Sequence, residues 1–375
     1  MSEQMDRREF SRALALATGG ALLAGSASAG ELVADPMRGA AARKFAAPDA
    51  DAGSLTDVEG LKVGHWTETR RPTGCTVILC EKGATAGVDV RGGAPGTRET
   101  DLLRPINSVQ QIYGLSLSGG SAFGLETASG VMKYLDEKGI GYRVGPTMVV
   151  PIVPAAILFD LGVGDWKIRP TAESGYEACK AATGDKVQEG NVGAGAGATI
   201  GKMFGPKFSM KAGVGTASIK VGNTGIVVAA LVAVNAVGDI YDQRTGQIVA
   251  GARSEDGKGF RDTMAAIRGG YSVVVPEQGT NTTIGVVATN AKLTKDEATK
   301  VAQMAHDGYG RGINPTHTPF DGDTIFCMAT GTSSAHVMTG AIGALAADVM
   351  ATAIMRSATQ CEGIAGYPAW RDLKK

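Results

Sequence analysis

The sequence has few of the side chains on which metal and acid–base chemistry usually depend. Its 375 residues include four histidines and five cysteines, with no CxxC pair and no HExxH motif. These absences argue against a metal site, and we expect the protein to work without a metal or other cofactor. The 37 basic residues equal the 37 acidic ones, so the net charge is zero. That balance argues against a nucleic-acid or anionic-membrane partner, because either would require a basic surface.

The cysteines leave one question open. Cys75 and Cys80 form a conceivable disulfide pair, and an exported protein would permit one. The odd total and the apolar neighbours instead favour buried free thiols. The five are Cys75, Cys80, Cys179, Cys327 and Cys361.

The first 29 residues are typical of an export signal rather than of folded structure. Arg7-Arg8-Glu9-Phe10 is a twin-arginine motif, and an apolar run and the small residues Ala27-Ser28-Ala29 follow it. The run is too short to span a membrane, and no later stretch approaches that length. We therefore expect export to the periplasm, a flexible leader over residues 30–55 and a single catalytic domain over residues 56–375.

Glycine is abundant, with 54 residues, and two glycine-rich stretches superficially resemble phosphate-binding loops. Neither has the spacing of a Walker or dinucleotide motif. We interpret residues 92–97 as a turn-rich loop and residues 190–198 as a tight backbone passage.

Hydrophobic periodicity predicts a layered α+β protein. Runs of short apolar strands are followed by amphipathic helices, which predicts two sheets sandwiched between helices. The predicted elements include an extended crossing over residues 151–161, strands over residues 226–240, 271–275 and 284–288, and helices over residues 121–135, 172–183, 294–306 and 333–357. Ser121 is predicted to cap its helix. A nucleophile role for it fails, because Phe123 stands where the G-x-S-x-G pattern requires glycine.

Two stretches carry the candidate chemistry. Asn281-Thr282-Thr283 precedes the buried strand at Ile284, so a hydroxyl lies at the mouth of that strand. Asp321 and Asp323 lead into a second apolar strand and project to the same side, where their titrations would be coupled. Threonines also favour strands for purely structural reasons, and Asp-Gly is a common turn. The two stretches together are more specific than either alone.

Asn235 ends a continuous apolar run that begins at Ile226. Such a run predicts a strand buried on both faces, so the Asn235 amide near the core must be hydrogen-bonded. It either satisfies local backbone groups or stabilises an oxyanion.

These motifs resemble the DmpA-type aminopeptidases and the related nylon-oligomer endohydrolases. The resemblance covers roughly residues 60–367 and includes Ser118–Leu125 and Val150–Pro154 as well as the Thr282 and Asp321 stretches. Members of this family are made as one polypeptide that cuts itself before a serine or threonine. The resemblance implies a four-layer αββα sandwich of the DmpA and ornithine-acetyltransferase type. It also implies a cut at Asn281-Thr282 that yields subunits of residues 30–281 and 282–375. Residues 254–279 carry many charges and have no clear period before Tyr271, so we expect them to form the mobile end of the large subunit.

The same resemblance implies a role for each site residue. Thr282 is the nucleophile, Asn235 the oxyanion donor, and Asp321 and Asp323 orient and polarise the new amine and hydroxyl. Lys202 follows a glycine-rich run, as does a lysine near the nucleophile in the relatives, and it shifts the charge balance of the aspartates. Lys207 and Lys211 are competing candidates. A tyrosine position of the serine-type relatives falls on Phe159, which lacks a hydroxyl and is assigned no chemistry.

The implied function is hydrolysis of amide bonds in small peptides or in ω- or β-amino-acid oligomers, by a homo-oligomer of cleaved heterodimers. Thr282 and the Asp-Gly-Asp triplet resemble the endohydrolases more than the serine aminopeptidases. An aminopeptidase that releases N-terminal D- or β-residues, an acyltransferase of the ornithine-acetyltransferase type, and an uncut periplasmic binding protein are the alternatives. An N-terminal threonine also suits a chain poor in histidine, because its own α-amine titrates near pH 8 and can act as the base.

Overall fold

The computed structural model describes residues 52–271 and 280–374. These residues form sixteen strands: β1 Lys62–Thr67, β2 Gly74–Val90, β3 Thr97–Arg98, β4 Ile112–Ser118, β5 Tyr142–Val144, β6 Met148–Val150, β7 Ala155–Ile157, β8 Thr199–Ile200, β9 Met210–Lys211, β10 Val214–Lys220, β11 Val227–Asn235, β12 Asp239–Tyr241, β13 Ile248–Ala250, β14 Thr282–Thr289, β15 Ile313–Asn314 and β16 Thr324–Ala329. The five α-helices are α1 Thr127–Glu137, α2 Ala172–Lys180, α3 Thr263–Arg268, α4 Lys295–Gly312 and α5 Thr339–Thr359.

The predicted signal peptide and all but the end of the predicted leader lie outside the described residues. At that end, Leu55 is fully buried, and the amide of Ser218 in β10 donates to the carbonyl of Ala52. The packed chain therefore begins a few residues before the predicted boundary at 56. The strand predicted over residues 271–275 falls almost entirely outside the described residues. The predicted mobile end of the large subunit, residues 254–279, is described up to Tyr271 and contains helix α3.

One long strand, β2, links the two halves of the main sheet. Its second half pairs with β16, and its first half pairs with β1 and β4, with a register shift between Leu79 and Ala84. The hydrogen-bonded order is β10-β11-β14-β16-β2-β4-β7-β3, with β1 beside β2. Apolar side chains of β4 share one buried cluster with those of β11 and β14, so the two halves of the sheet pack face to face.

Helices cover both outer faces. α4 and α5 pack on the half that contains β11, β14 and β16, in a cluster that includes Tyr309 and Met350. α1 and α2 pack on the half that contains β1, β2 and β4, around Val131, Leu135 and Ala178. The order helix, sheet, sheet, helix confirms the predicted α+β αββα sandwich.

The central strands explain why the predicted apolar runs are continuous. Every residue of β11 and β14 is buried, and successive side chains of β11 alternate between the layer shared by the sheets and the layer beneath α4 and α5. The run predicted over residues 226–240 is broken, because β11 ends at Asn235 and β12 begins at Asp239. Asn235 therefore stands at a strand end, as expected from its place at the end of the apolar run.

The helix predictions were correct in place and less accurate at the ends. Thr294 forms the predicted capping box with Glu297, but α4 continues to Gly312. The helix predicted to begin at Ser333 begins at Thr339. The Ser121 cap prediction was wrong: a 3-10 helix precedes α1, its cap is Gly120 at φ +84°, and the Ser121 side chain makes no cap bond. The predicted extended crossing over residues 151–161 contains the buried strand β7.

Helix α5 departs from the expectation that no later stretch approaches membrane-spanning length. Among the described residues it is the one helix long and apolar enough to cross a membrane. However, 72% of its apolar window is buried inside the protein, against α4, β10 and β11. The length and apolarity of α5 therefore fit a core helix.

The cysteine prediction of buried thiols is confirmed. All five cysteines lie among the described residues, and each is buried and free, so Cys75 and Cys80 form no disulfide.

Candidate active site

Thr282 is the first residue of β14 and is 2% exposed. Its hydroxyl contacts the carbonyl oxygen of Asn281, the residue before it, as donor. In the ladder between β11 and β14, Thr282 pairs directly with Asn235. Two of the predicted site residues are thus brought together by sheet register, although 47 positions separate them in the numbering.

The Asp-Gly-Asp turn approaches the same point from the other side. β16 runs parallel to β14, and just before the two strands Asn281 forms a parallel bridge with Asp321. The amide of Gly322 donates to the carbonyl oxygen of Asn281 at 3.0 Å, and Asp323 Oδ1 accepts from the Thr283 amide at 2.8 Å. The turn therefore holds the backbone on both sides of Thr282.

Glycine is required between the two aspartates. A Cβ at Gly322 would lie 2.7 Å from Thr282 Oγ1 and 2.7 Å from the carbonyl oxygen of Ala94. The loop at residues 92–97, interpreted from sequence as turn-rich, packs on this turn, because the amides of Arg91 and Ala94 donate to the carbonyls of Asp323 and Asp321. A side chain at position 322 would displace the nucleophile.

Lys202 and Asn235 complete the site. Lys202 Nζ donates to the Asn235 side-chain oxygen at 2.7 Å, to the Asn235 carbonyl at 3.0 Å and to the Thr280 carbonyl at 3.1 Å. The Asn235 amide nitrogen donates to the Phe159 carbonyl at 2.8 Å and lies 3.4 Å from the Thr280 carbonyl. The structure thus brings all five predicted catalytic residues together around Asn281-Thr282.

The junction holds two buried polar atoms without a hydrogen-bond partner among the described residues. They are Asn281 Oδ1 and Thr283 Oγ1, on either side of Thr282. An unsatisfied buried polar atom costs about 1–3 kcal/mol. These two unsatisfied atoms therefore lower the stability of the uncut junction.

The two aspartates, both 1% exposed, differ in electrostatic environment. Burial raises the pKa of Asp321 to about 6, and the neighbouring Asp323 carboxylate acts in the same direction. Burial alone would also raise the pKa of Asp323, but the hydrogen bonds and charge of His317 outweigh it and hold that pKa below its usual value. Burial lowers the pKa of Lys202 to about 7, against the attraction of Asp321. At neutral pH, Asp321 and Lys202 are thus both close to titration.

Asp321 makes the folded protein less stable as the pH rises. Between its ordinary pKa of 3.8 and its folded pKa of about 6, the folded protein keeps a proton that the unfolded chain releases, so the free energy of unfolding falls. The Asp321→Asn variant has an amide in place of the carboxyl and cannot ionise at this position. At pH 8, where Lys202 has largely lost its proton, we expect this variant to be more stable by on the order of 2 kcal/mol.

Urea unfolding at pH 4 and at pH 8 measures this effect. Both proteins carry Thr282→Ala, so that neither chain is cut. The difference between them should be small at pH 4, where Asp321 is protonated in the folded protein. A difference of the same size at both pH values would show that Asp321 does not titrate in this range.

A pocket of about 390 Å³ lies beside the junction. Lys202 and Thr280 line it next to the site, and its remaining walls come from several loops. These other lining residues are Phe159, Asp160, Gly162, Val163, Thr199, Gly205, Pro206, Ser209 and Tyr367. The lining is predominantly apolar, which fits an uncharged part of a substrate.

The competing candidates lie outside the junction. Lys207 is exposed. Lys211 is fully buried, but its Nζ donates to the carbonyls of Gly195 and Ala212. The amides of Gly119, Gly120 and Ser121, which lie in the stretch Ser118–Leu125 that carries part of the resemblance, donate to acceptors within the protein. Phe159 contributes its backbone carbonyl and a pocket wall, in agreement with the absence of assigned side-chain chemistry.

Sequence reasoning missed two parts of the site. His317 lies six residues before Asp323 and hydrogen-bonds it, and only its closeness in sequence hinted at this. Asp160 forms a buried pair with Arg71 at 2.8 Å and also accepts from Thr73 and Gly120, in the wall of the pocket. No local motif marks that pair, because its members are 89 positions apart.

Metal binding finds no support in the part of the chain that the structure describes. There, no group of three or more His, Cys, Asp or Glu side chains is arranged to hold a metal ion. The site that is present consists of a hydroxyl, two carboxyls, an amide, an amine and backbone donors.

Solved structures of other proteins share this architecture. A β-aminopeptidase from Burkholderia sp. superposes with a TM-score of 0.64 at 20% identity, covering 86% of this chain and 92% of the other. The L-aminopeptidase D-Ala-esterase/amidase from Ochrobactrum anthropi, a prototype of the serine aminopeptidases and a variant of the Ntn-hydrolase fold, gives 0.63 at 19%, covering 84% and 89%. At these identities the likeness establishes the fold.

Sequence comparison gives the family. The profile of Peptidase family S58 matches residues 53–369, and the chain belongs to this family. An uncharacterized aminopeptidase from Mycobacterium leprae is 42% identical over 351 residues, which are 86% of this chain and 94% of the relative. A 6-aminohexanoate-oligomer endohydrolase from Kocuria sp. is 31% identical over 315 residues, 80% of this chain and 85% of the relative. The protein is a hydrolase that acts on amide bonds.

Proposed function

We propose that the chain cuts itself between Asn281 and Thr282 and then hydrolyses small amides with Thr282 as its N-terminal nucleophile. The observation that carries this proposal is the contact of the Thr282 hydroxyl with the Asn281 carbonyl, whose oxygen also accepts from the Gly322 amide. A donor on that oxygen stabilises the negative charge that develops when the carbonyl is attacked.

The cut proceeds by an N→O acyl shift. Thr282 Oγ1 bonds to the carbonyl carbon of Asn281, the hydroxyl proton is taken up at the site, and the bond from that carbon to the Thr282 nitrogen breaks as the nitrogen gains a proton. Water then hydrolyses the ester. Asn281 becomes a new C-terminus, and Thr282 regains its hydroxyl with a free α-amine.

Turnover reuses the same groups. The free amine of Thr282 titrates near pH 8, so near that pH it can accept the hydroxyl proton during attack on a substrate amide. Asn235 lies beside Thr282 and supplies an amide donor for the oxyanion, once the Thr280 segment no longer occupies its neighbourhood. Asp321 and Asp323 orient the new amine and hydroxyl.

One measurement tests the cut directly. On a denaturing gel the purified protein should give two fragments, and N-terminal sequencing of the smaller should read Thr-Thr-Ile-Gly. A fully active preparation that consists of a single uncut polypeptide would reject the proposal. A single band without activity would favour the alternative of a non-catalytic binding protein.

For the substrate, we propose short peptides or oligomers of ω- or β-amino acids. The predominantly apolar pocket beside Lys202 suits an uncharged acyl segment, and one relative is named for 6-aminohexanoate oligomers. The relatives named aminopeptidases support the alternative of N-terminal residue release. Hydrolysis of 6-aminohexanoate oligomers, β-peptides and D- or L-residue amides, each with and without a free amino group, separates the two. Added amine acceptor tests the acyltransferase alternative.

We also propose that the protein is exported by the twin-arginine pathway and assembles as a homo-oligomer of cleaved heterodimers. The Arg7-Arg8 motif supports the first part. Arg7→Lys with Arg8→Lys should retain the protein in the cytoplasm, as cell fractionation would reveal, and light scattering of the mature protein measures the assembly.

A further inference from the structure

Asp323 is surrounded by donors. One carboxylate oxygen accepts from the Thr283 amide at 2.8 Å. The other accepts from the Thr316 hydroxyl, the His317 amide and His317 Nδ1, each at 2.9 Å. By contrast, Asp321 accepts on one oxygen from the amide and hydroxyl of a single residue, Thr318. A carboxyl whose two oxygens both accept hydrogen bonds is stabilised in its ionised form.

His317 is held for this contact in an unusual backbone conformation. Its φ is +57°, in the left-handed region that few residues other than glycine and asparagine adopt. Its ring packs 4.8 Å from the ring of His306 and 5.9 Å from that of Tyr309, both on α4. The side chain remains 22% exposed.

We propose that His317 is a positioning residue: its Nδ1–H keeps Asp323 ionised and aimed at the Thr283 amide, and this fixes Thr282 against the carbonyl that it attacks. The proposal rests on the proposed function of Thr282. It divides the aspartate pair, because Asp323 anchors the strand as a carboxylate and Asp321 becomes the member that exchanges a proton. His317 touches neither the nucleophile nor the scissile carbonyl, and it acts through Asp323.

Among the ionisable groups that face His317 directly, Asp323 is the charged one. On its own segment it faces Asp323, with Asp321 beyond it. From α4 it faces His306, whose pKa burial lowers to about 4, and Tyr309, whose pKa burial raises well above its usual value. Both α4 groups are therefore neutral at working pH. Behind His306 lie Asp89, 3.7 Å from its Nε2, and Arg91.

Two variants that tolerate the left-handed backbone test the proposal. His317→Asn retains a donor near the Nδ1 position without the imidazole ring, whereas His317→Gly removes the side chain without backbone strain. At pH 8 we expect self-cleavage about tenfold slower in His317→Gly, from loss of a charge-assisted hydrogen bond, and within a few-fold of wild type in His317→Asn. In both, the acid limb of the rate–pH profile should move to higher pH, because the pKa of Asp323 rises when the interactions with the His317 ring that lower it are lost.

A role in packing alone predicts another result. Both variants lose the ring that packs on His306 and Tyr309, so they would be slowed equally and their pH profiles would match wild type. That result, or wild-type rates in both variants, overturns the proposal. Thermal unfolding of each variant as a Thr282→Ala chain checks that it is folded.

A measurement without catalysis separates this inference from the proposed function. The full-length Thr282→Ala chain labelled with 15N-histidine has only four histidines, and His317→Asn assigns the His317 signal. We expect its Nδ1 to carry a proton at pH 8. An unprotonated Nδ1 cannot donate to Asp323 and would overturn the inference, whatever Thr282 does. If Thr282→Ala chains are still cut, the proposed function fails while this readout still stands.

Discussion

Replacing Thr282 with alanine is expected to leave the chain uncut and to abolish amide hydrolysis. The hydroxyl that contacts the Asn281 carbonyl is gone, and without the cut no free α-amine forms at the head of β14. Removal of a nucleophile lowers turnover by on the order of 10⁴–10⁶. A denaturing gel measures the first effect, and hydrolysis of the best substrate from the panel measures the second. Thr282→Ser should still cut, because it keeps the hydroxyl.

Thr283 provides a matched control for this experiment. It is buried next to Thr282 in the same strand, but its hydroxyl has no hydrogen-bond partner among the described residues, and its contribution to the site is its backbone amide. Thr283→Val keeps the shape and that amide, so it should be cut and remain active. Loss of cutting in Thr283→Val with normal cutting in Thr282→Ala would show that Thr283, and not Thr282, is the nucleophile.

The sequence predicted the layers of the fold and the residues of the site. It predicted less completely which strands and side chains lie next to one another. The apolar run that ends at Asn235 and the hydroxyl before Ile284 both indicated strand ends at a buried layer, and both were found there. That Asn235 stands opposite Thr282 depends on the register between β11 and β14, which no local pattern specifies. Lys202 was proposed by resemblance alone, because a single lysine beside a glycine carries no signal of its contacts.

The errors also have physical causes. Ser121 was predicted to cap a helix because serine commonly does so, but Gly120 in the left-handed region makes the turn and a 3-10 helix follows. His317 was given no role, since its contact with Asp323 depends on a backbone conformation that histidine rarely adopts.

Four consecutive residues around the proposed cut are each held by a different group. Lys202 donates a hydrogen bond to the carbonyl of Thr280, and the amide of Gly322 donates to the carbonyl of Asn281. Asn235 pairs with Thr282 in the ladder between β11 and β14, and Asp323 accepts a hydrogen bond from the amide of Thr283. The scissile bond lies between the second and third of these contacts. Precise placement matters because a displacement of 1 Å can lower a reaction rate by about a hundredfold.

Lys202→Met is therefore expected to slow self-cleavage by about a hundredfold. Methionine fills similar space but removes the Nζ donor that joins the Asn235 and Thr280 carbonyls, so the alignment of the junction is weakened. The fraction of uncut chain, followed on denaturing gels over time, measures the rate. Because the pKa of Lys202 is lowered to about 7, the wild-type protein loses this positive charge as the pH rises through that value. Its cleavage rate should therefore change near pH 7, and that change should be absent in Lys202→Met.

The two rejected lysines make this prediction specific. Lys211 is as deeply placed as any side chain in the protein, and burial lowers its pKa to about 8, but its Nζ binds Gly195 and Ala212 rather than the junction. Lys211→Met should reduce stability and leave the cutting of folded protein unchanged, and the exposed Lys207→Met should change neither. If Lys211→Met slowed cutting as much as Lys202→Met, the effect would come from general loss of a buried charge. If only Lys202→Met does so, the hydrogen bonds that span Asn235 and Thr280 are what align the bond for attack.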